Sequence, residues 1–231
     1  VGFSMIRNRL AALIAERGLK ITRVAKDTGI SRNTITSIAQ NDSEMMRMET
    51  INILCKYLGI TPCEFYEYEP LDIDFFIEVN SCQYTIKDQQ SSVSDIENYI
   101  YITNAEIDVI MEVNRNPHNK SFDLSCKLID SVELSLDNNG DLFGSGIPLV
   151  IEFDNDNEKN TFVDEIYTKI SAAFYQDIYK SLESKLTQQL QAYLINDFQA
   201  DSLDNVLYIQ HIENKLKNLS TNLHSDVFKK F

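Results

Sequence analysis

The sequence predicts a multidomain protein in which an all-α domain of five helices over residues 1–70 precedes an α+β domain over residues 71–231. Three observations carry this. As far as Pro70, apolar residues recur at helical spacing between capping and turn residues. After Pro70 the pattern becomes alternation in segments rich in strand-forming residues. From Glu158 onward apolar residues recur at every fourth position, which is a helical signal again.

In chain order, Met5 to Arg17 (MIRNRLAALIAER) predicts a first helix, with Ser4 able to cap it and Leu10, Leu13 and Ile14 turned inward. Ile21 to Ile38 (ITRVAKDTGISRNTITSI) reads as two short helices around a tight turn. Thr22 can cap the first, Gly29 supplies the left-handed turn residue, and Ser31 caps the second, which runs to about Gln40. Ala25 is small where the helices must approach, while Val24, Ile30, Ile35 and Ile38 close a small core. Arg32, Asn33, Thr34, Thr36 and Ser37 are left on the other faces: the forked and hydroxyl side chains that suit base edges rather than the Glu and Lys of a merely solvated helix. METINILCKYLGI supplies a fourth helix, and Thr61-Pro62-Cys63-Glu64 is a capping box with Pro at the first helical position of a fifth.

With these residues in place, the stretch from about residue 4 to 69 resembles the Cro and lambda-repressor (XRE-like) helix-turn-helix family. Ala25, Gly29, Ile30, Ser31, Ile35 and Ile38 match its pattern in order, and the flanking helices match in register. One departure is Asn41, where many relatives have glycine, and Asn tolerates the same backbone. The resemblance implies that Arg32, Asn33 and Ser37 face base edges, with Thr22, Arg23, Ser31 and Thr34 nearer phosphates. Thr36 and Arg47 complete the expected DNA-binding set.

Charge follows the same division. Residues 1–60 hold nine Lys/Arg and five Asp/Glu, a net +4, whereas residues 61–231 hold twelve and thirty, a net −18. Arg7, Arg9, Arg23, Lys26, Arg32 and Arg47 are candidates for a phosphate footprint, and the acidic remainder would be repelled by DNA. No stretch approaches eighteen uncharged apolar residues, so no membrane span is expected. The four cysteines show no CxxC spacing and predict reduced thiols in the cytoplasm.

Beyond Pro70, the segments 71–79, 83–88, 106–113, 122–136 and 147–153 predict an antiparallel sheet of four or five strands. The serines of 89–94 read as a loop, SVSDIENYIY as a short helix, and Asn139-Gly140 as a hairpin turn. Phe162, Ile166, Ile170, Phe174, Ile178, Leu182, Leu186, Leu190 and Leu194 predict one long helix that must bend or wrap its stripe. A last helix is expected over 203–228, where Ile209, Ile212, Leu216, Leu219 and Leu223 form a narrow seam suited to dimerisation.

Other features favour plain structure. Asp137, Asn139 and Asp141 echo a calcium loop, but the glycine comes too early. Asp154, Asp156, Glu158 and Glu165 suit a helix start better than a metal. His211 has no partner at ligand spacing, and Tyr175, Tyr179 and Tyr193 read as amphipathic core. Ser145 lies between glycines, yet no downstream strand offers the lysine a self-cleaving pair requires. No cofactor fingerprint or enzymatic motif occurs. The expectation is a non-enzymatic regulator that binds a palindromic operator in double-stranded DNA as a homodimer. Its acidic domain would serve dimerisation or a small-molecule or protein signal. The alternative is an autoregulating interaction protein, an antitoxin or phage-coded inhibitor, whose acidic domain binds a protein partner.

Overall fold

The computed structural model describes residues 6–42, 45–90, 96–115, 118–136, 142–143, 146–201, 213 and 216–228. The chain divides into two compact units, the first ending at Leu71 and the second beginning at Asp72.

The first unit contains helices α1 (Leu10–Glu16), α2 (Ile21–Thr28), α3 (Arg32–Ala39), α4 (Met48–Leu58) and α5 (Pro62–Phe65). Their core joins Leu10, Leu13, Val24, Ile35, Ile38, Leu54 and Phe65, all buried. Two left-handed glycines end α2 and α4: Gly29 has φ 74° and Gly59 φ 68°. The expected capping box forms at α5, where Thr61 N–H donates to Glu64 Oε2 at 2.7 Å and the Thr61 hydroxyl at 2.9 Å. These bonds, the backbone one first, hold the Glu64 carboxyl below its ordinary pKa.

The start of the unit departs from expectation. The first helix begins at Leu10, because Ile6–Asn8 is a strand, β1, pairing antiparallel with β2 (Tyr66–Tyr68). Arg9 N–H donates to Phe65 O at 2.8 Å, and Asn8 Oδ1 accepts from Leu10 N–H at 3.0 Å. Strand pairing and this local bond outcompete a longer helix. The Ser4 cap lies outside the described residues.

The described residues of the second unit form a seven-stranded sheet together with helical segments. β3 (Asp72–Gln90) and β4 (Ile96–Arg115) form a long antiparallel hairpin, with register shifts at Val79/Ser81 and Gln83/Tyr84. On its other side β4 pairs with β5 (His118–Leu128) and β6 (Val132–Leu136). β7 (Leu142–Phe143) pairs with β6, and β8 (Ile147–Phe153) pairs with β5. β9 (Thr221–His224) adds to β8 in parallel, so the sheet is mixed at one edge.

Several expectations are corrected here. The described part of SVSDIENYIY is strand, because Ile100 and Ile102 alternate inward along β4 and are buried. The single strand expected over 122–136 is two, since the chain turns at Ile129–Ser131 and pairs β6 with a different stretch of β4. The Asn139-Gly140 turn, Asp137, Asp141, Ser145 and His211 lie outside the described residues.

The long helix is broken. α6 (Asp156–Glu165) and α7 (Ala172–Asp201) are separated by a 3-10 turn at Tyr167–Lys169. A four-residue repeat drifts by roughly 40° per step around a 3.6-residue helix. The break resets part of that drift, and α7 packs against both β3 and β9, so the stripe from Phe162 to Leu194 stays buried. Asn155 caps α6 by accepting from Asn157 N–H, and Asp156 and Glu158 sit in its first turn. Glu165 is ion-paired with Lys120.

The dimerisation seam is also corrected. Ile209 and Ile212 lie outside the described residues. Leu216, Leu219 and Leu223 are buried within the chain itself, and Leu223 belongs to β9 rather than to a helix. Polar groups of α7 fix this segment. Gln191 Nε2 donates to Leu219 O at 2.9 Å, Thr187 and Thr221 hydroxyls lie 2.7 Å apart, and the Tyr179 hydroxyl is 3.0 Å from Leu223 O. Burial pushes Tyr179 up to about 12.

Candidate nucleic-acid interface

The interface is built on α2, the turn at Gly29 and α3. Ser31 has extended backbone (φ −60°, ψ 144°), and its hydroxyl accepts from Thr34 N–H at 3.1 Å while lying 2.7 Å from the Thr34 hydroxyl. That cap fixes where α3 begins. Arg32 and Asn33 then become its first two residues, both exposed. With roughly 100° between successive residues, Asn33, Thr36 and Ser37 fall opposite the buried Ile35 and Ile38. Thr36 and Ser37 are half-buried. Gln40, exposed at the end of the helix, shares that outer face. Gln40 lies outside the expected DNA-binding set, although its place three residues beyond Ser37 carries the signal.

The far end of α3 is anchored by an amide pair. Asn41 occupies left-handed backbone at φ 57°, as its place in the sequence suggested. Its Oδ1 accepts from Asn8 N–H at 2.8 Å and from Asn8 Nδ2 at 2.6 Å, and Asn8 Nδ2 also donates to Ile38 O at 2.7 Å. Asn8 is almost fully buried, and its bonds tie β1, the start of α1 and the end of α3 together. Glycine at position 41 would permit the turn but not the tie.

On α2, Thr22 is exposed and lines a shallow groove with Lys20, Arg23 and Lys26. It does not cap the helix. α2 begins one residue earlier, at Ile21, and Lys20 in the capping position makes no side-chain cap bond. Arg23 differs from a free phosphate ligand. Its Nε donates to Asp27 at 2.6 Å, and Asp27 also accepts from the Tyr57 hydroxyl at 3.0 Å. The hydrogen bond to Asp27 raises the Arg23 pKa, and the same bond lowers that of Asp27. Arg32, by contrast, is exposed and forms no ion pair among the described residues. Thr34 and Arg47 border a second groove with Met45 and Met46, and Arg47 precedes the first residue of α4. Met45 and Met48 flank it at 91% and 78% exposure.

Of the expected footprint, Arg9 lies 3.5 Å from Glu16 and Arg17 sits on the other side of that carboxylate, so Arg9 is engaged within the fold. Lys20, Lys26, Arg32 and Arg47 remain exposed on the described surface of this unit. No helix among the described residues is long and apolar enough to cross a membrane.

Residues 9–70 match the family model of the Cro/C1-type HTH DNA-binding domain. The first unit is therefore a DNA-binding domain of that type. No curated protein and no solved structure matches the chain at a significant level.

Proposed function

We propose that this chain is a sequence-specific transcriptional regulator, a repressor that binds a palindromic operator as a homodimer. The observation that carries the reading is the α2–Gly29–α3 geometry, with Arg32, Asn33, Thr36, Ser37 and Gln40 on the surface of α3 and Lys20, Thr22 and Lys26 around the uncapped start of α2. A helix N-terminus without a side-chain cap suits a phosphate oxygen, and adjacent lysines add charge. The first turn of α3 then meets base edges, with Arg32 pairing a guanine and Asn33 an adenine. Thr34 and Arg47 serve the neighbouring backbone, and Arg23 joins once Asp27 releases it.

One α3 reads only a half-site. Two copies placed about 34 Å apart along the duplex read a palindrome, which is the reason to infer a dimer. The leucines at 216, 219 and 223 are used within the second unit, so the dimer contact is assigned elsewhere.

The test is selection of duplexes by the full-length chain from a random pool, followed by titration on the selected and a scrambled duplex. A palindromic consensus with at least about a hundredfold preference supports the reading. Equal affinity for both duplexes would overturn it.

A second reading rests on the acidity of the second unit, which holds twelve Lys/Arg against twenty-seven Asp/Glu over residues 72–231. There the acidic unit holds a basic protein, and the DNA-binding domain controls the gene.

A further inference from the structure

The solvent-facing side of the β3–β4–β5 sheet carries an arrangement that a purely structural surface would avoid. Phe76 and Ile110 are register partners on β3 and β4, and they are 53% and 43% exposed. Two residues along the strands, Glu78 stands directly opposite Asp108. Glu112 lies two residues beyond Ile110 on the other side, and Asp123 of β5 is the register partner of Ile110 itself. Side chains two apart on a strand share a face, so these four carboxylates surround the apolar pair. Like charges directly opposite one another weaken a sheet, and exposed aromatic–aliphatic pairs in mid-sheet favour association. Among the described residues of this patch, Lys127 on β5, partner of Glu106, supplies the positive charge. Asp74 is drawn aside by Lys185 of α7.

We propose that this face docks a cationic protein, which seats an apolar side chain on Phe76 and Ile110 while its lysines and arginines meet Glu78, Asp108, Glu112 and Asp123. Charge complementarity selects the occupant. A second copy bound face to face would set carboxylate against carboxylate, and DNA or an anionic membrane would be repelled. No cluster of metal-ligating side chains occurs among the described residues, so a cation-binding role does not account for the acids. The proposal rests on the second reading above and is independent of DNA recognition.

The probe is a fluorescently labelled lysine-rich peptide with two central leucines, compared with an all-lysine peptide of equal charge, both titrated against the full-length chain at physiological salt. The leucine-bearing peptide is expected to bind about tenfold more tightly. Phe76→Ser with Ile110→Ser should erase that advantage, and Glu78→Lys with Asp108→Lys should abolish binding. Asp130→Lys with Asp164→Lys changes net charge equally on exposed positions elsewhere and should leave most of the affinity. Amide chemical-shift mapping on the parent protein should centre on residues 74–78 and 108–112, which keeps the test valid should a variant fold poorly. Equal losses from the two charge-reversal pairs, or shifts centred away from β3 and β4, would overturn this face while leaving the partner reading intact. No binding of either peptide would overturn both.

Discussion

Asn8→Ala tests whether the end of the reading helix is held by one buried amide. The substitution removes three side-chain hydrogen bonds: Nδ2 to Ile38 O, Nδ2 to Asn41 Oδ1, and Oδ1 from Leu10 N–H. A net bond contributes about 0.5–1.5 kcal/mol, and a buried group left without a partner costs about 1–3 kcal/mol. Leu10 N–H loses its partner, whereas Ile38 O keeps the Asn41 N–H at 3.0 Å. Because the void is small and water can enter near half-buried Asn41, a total of about 2–4 kcal/mol is expected, short of the full sum. For a unit of this size that corresponds to a fall in Tm of roughly 10–20 °C. The assay is amide hydrogen exchange on peptides from residues 9–60 of the full-length chain, which reads this unit separately from the second. Asn41→Gly should cost less, because glycine relieves the left-handed backbone even as it loses the amide. The double mutant should cost less than the two singles added, since both remove the same bond. If Asn8→Ala changes the opening free energy by less than about 0.5 kcal/mol, the network is not what holds α3.

Four further outcomes are expected. Arg32→Ala should cost about 1–3 kcal/mol on the selected duplex and less on a scrambled one, and an equal loss on both would move Arg32 to the phosphate backbone. Asp27→Asn should free Arg23, raising affinity for all duplexes and steepening the salt dependence by close to one phosphate contact. An unchanged salt slope would mean Arg23 does not meet DNA. Glu64, whose carboxyl is held low in the fold, contributes its stabilisation fully above its unfolded pKa and loses it as pH falls through the folded value. The acid limb of stability of the first unit should therefore shrink in Glu64→Gln, and an identical pH profile would discount the capping box. Leu216→Glu with Leu219→Glu should unfold the second unit, since both leucines are buried within it, whereas a folded variant of lower mass by light scattering would restore the seam as an intermolecular contact.

The first unit was legible because its signals are local. Ser31, Gly29 and Thr61–Glu64 each act within a few residues of themselves, and the structure uses each as read. What escaped notice there depends on distance along the chain. Strand β1 exists through pairing with Tyr66–Tyr68, and the Asn8–Asn41 bond spans thirty-three residues. In the second unit most information is of this kind. Ile100 and Ile102 look as helical as they look extended until β3 and β6 pair with their strand. The leucines at 216, 219 and 223 keep a three-four spacing across a helix end, a turn and a strand. Periodicity alone could not separate that from a helical seam, because the parallel partner of β9 lies some seventy residues earlier.

Placement of charge says more about the division of labour than its total. In the first unit the acids Glu16, Asp27 and Glu64 are taken up by the fold: Glu16 by Arg9 and Arg17, Asp27 by Arg23 and Tyr57, and Glu64 by Thr61. Lys20, Lys26, Arg32, Arg47 and Lys56 are left exposed. In the second unit Lys120, Lys159 and Lys185 are each engaged with a carboxylate, while Glu78, Asp108 and Asp123 stand exposed on the sheet. Each such ion pair removes one charge of either sign, so the net balance of each unit is unchanged and pairing sets only where the remaining charges stand. Such a small set of exposed cations releases few counterions, so a single copy should bind DNA weakly and with a shallow salt slope. On the proposed palindromic operator, high affinity would then come from two copies binding together more than from any one side chain of α3.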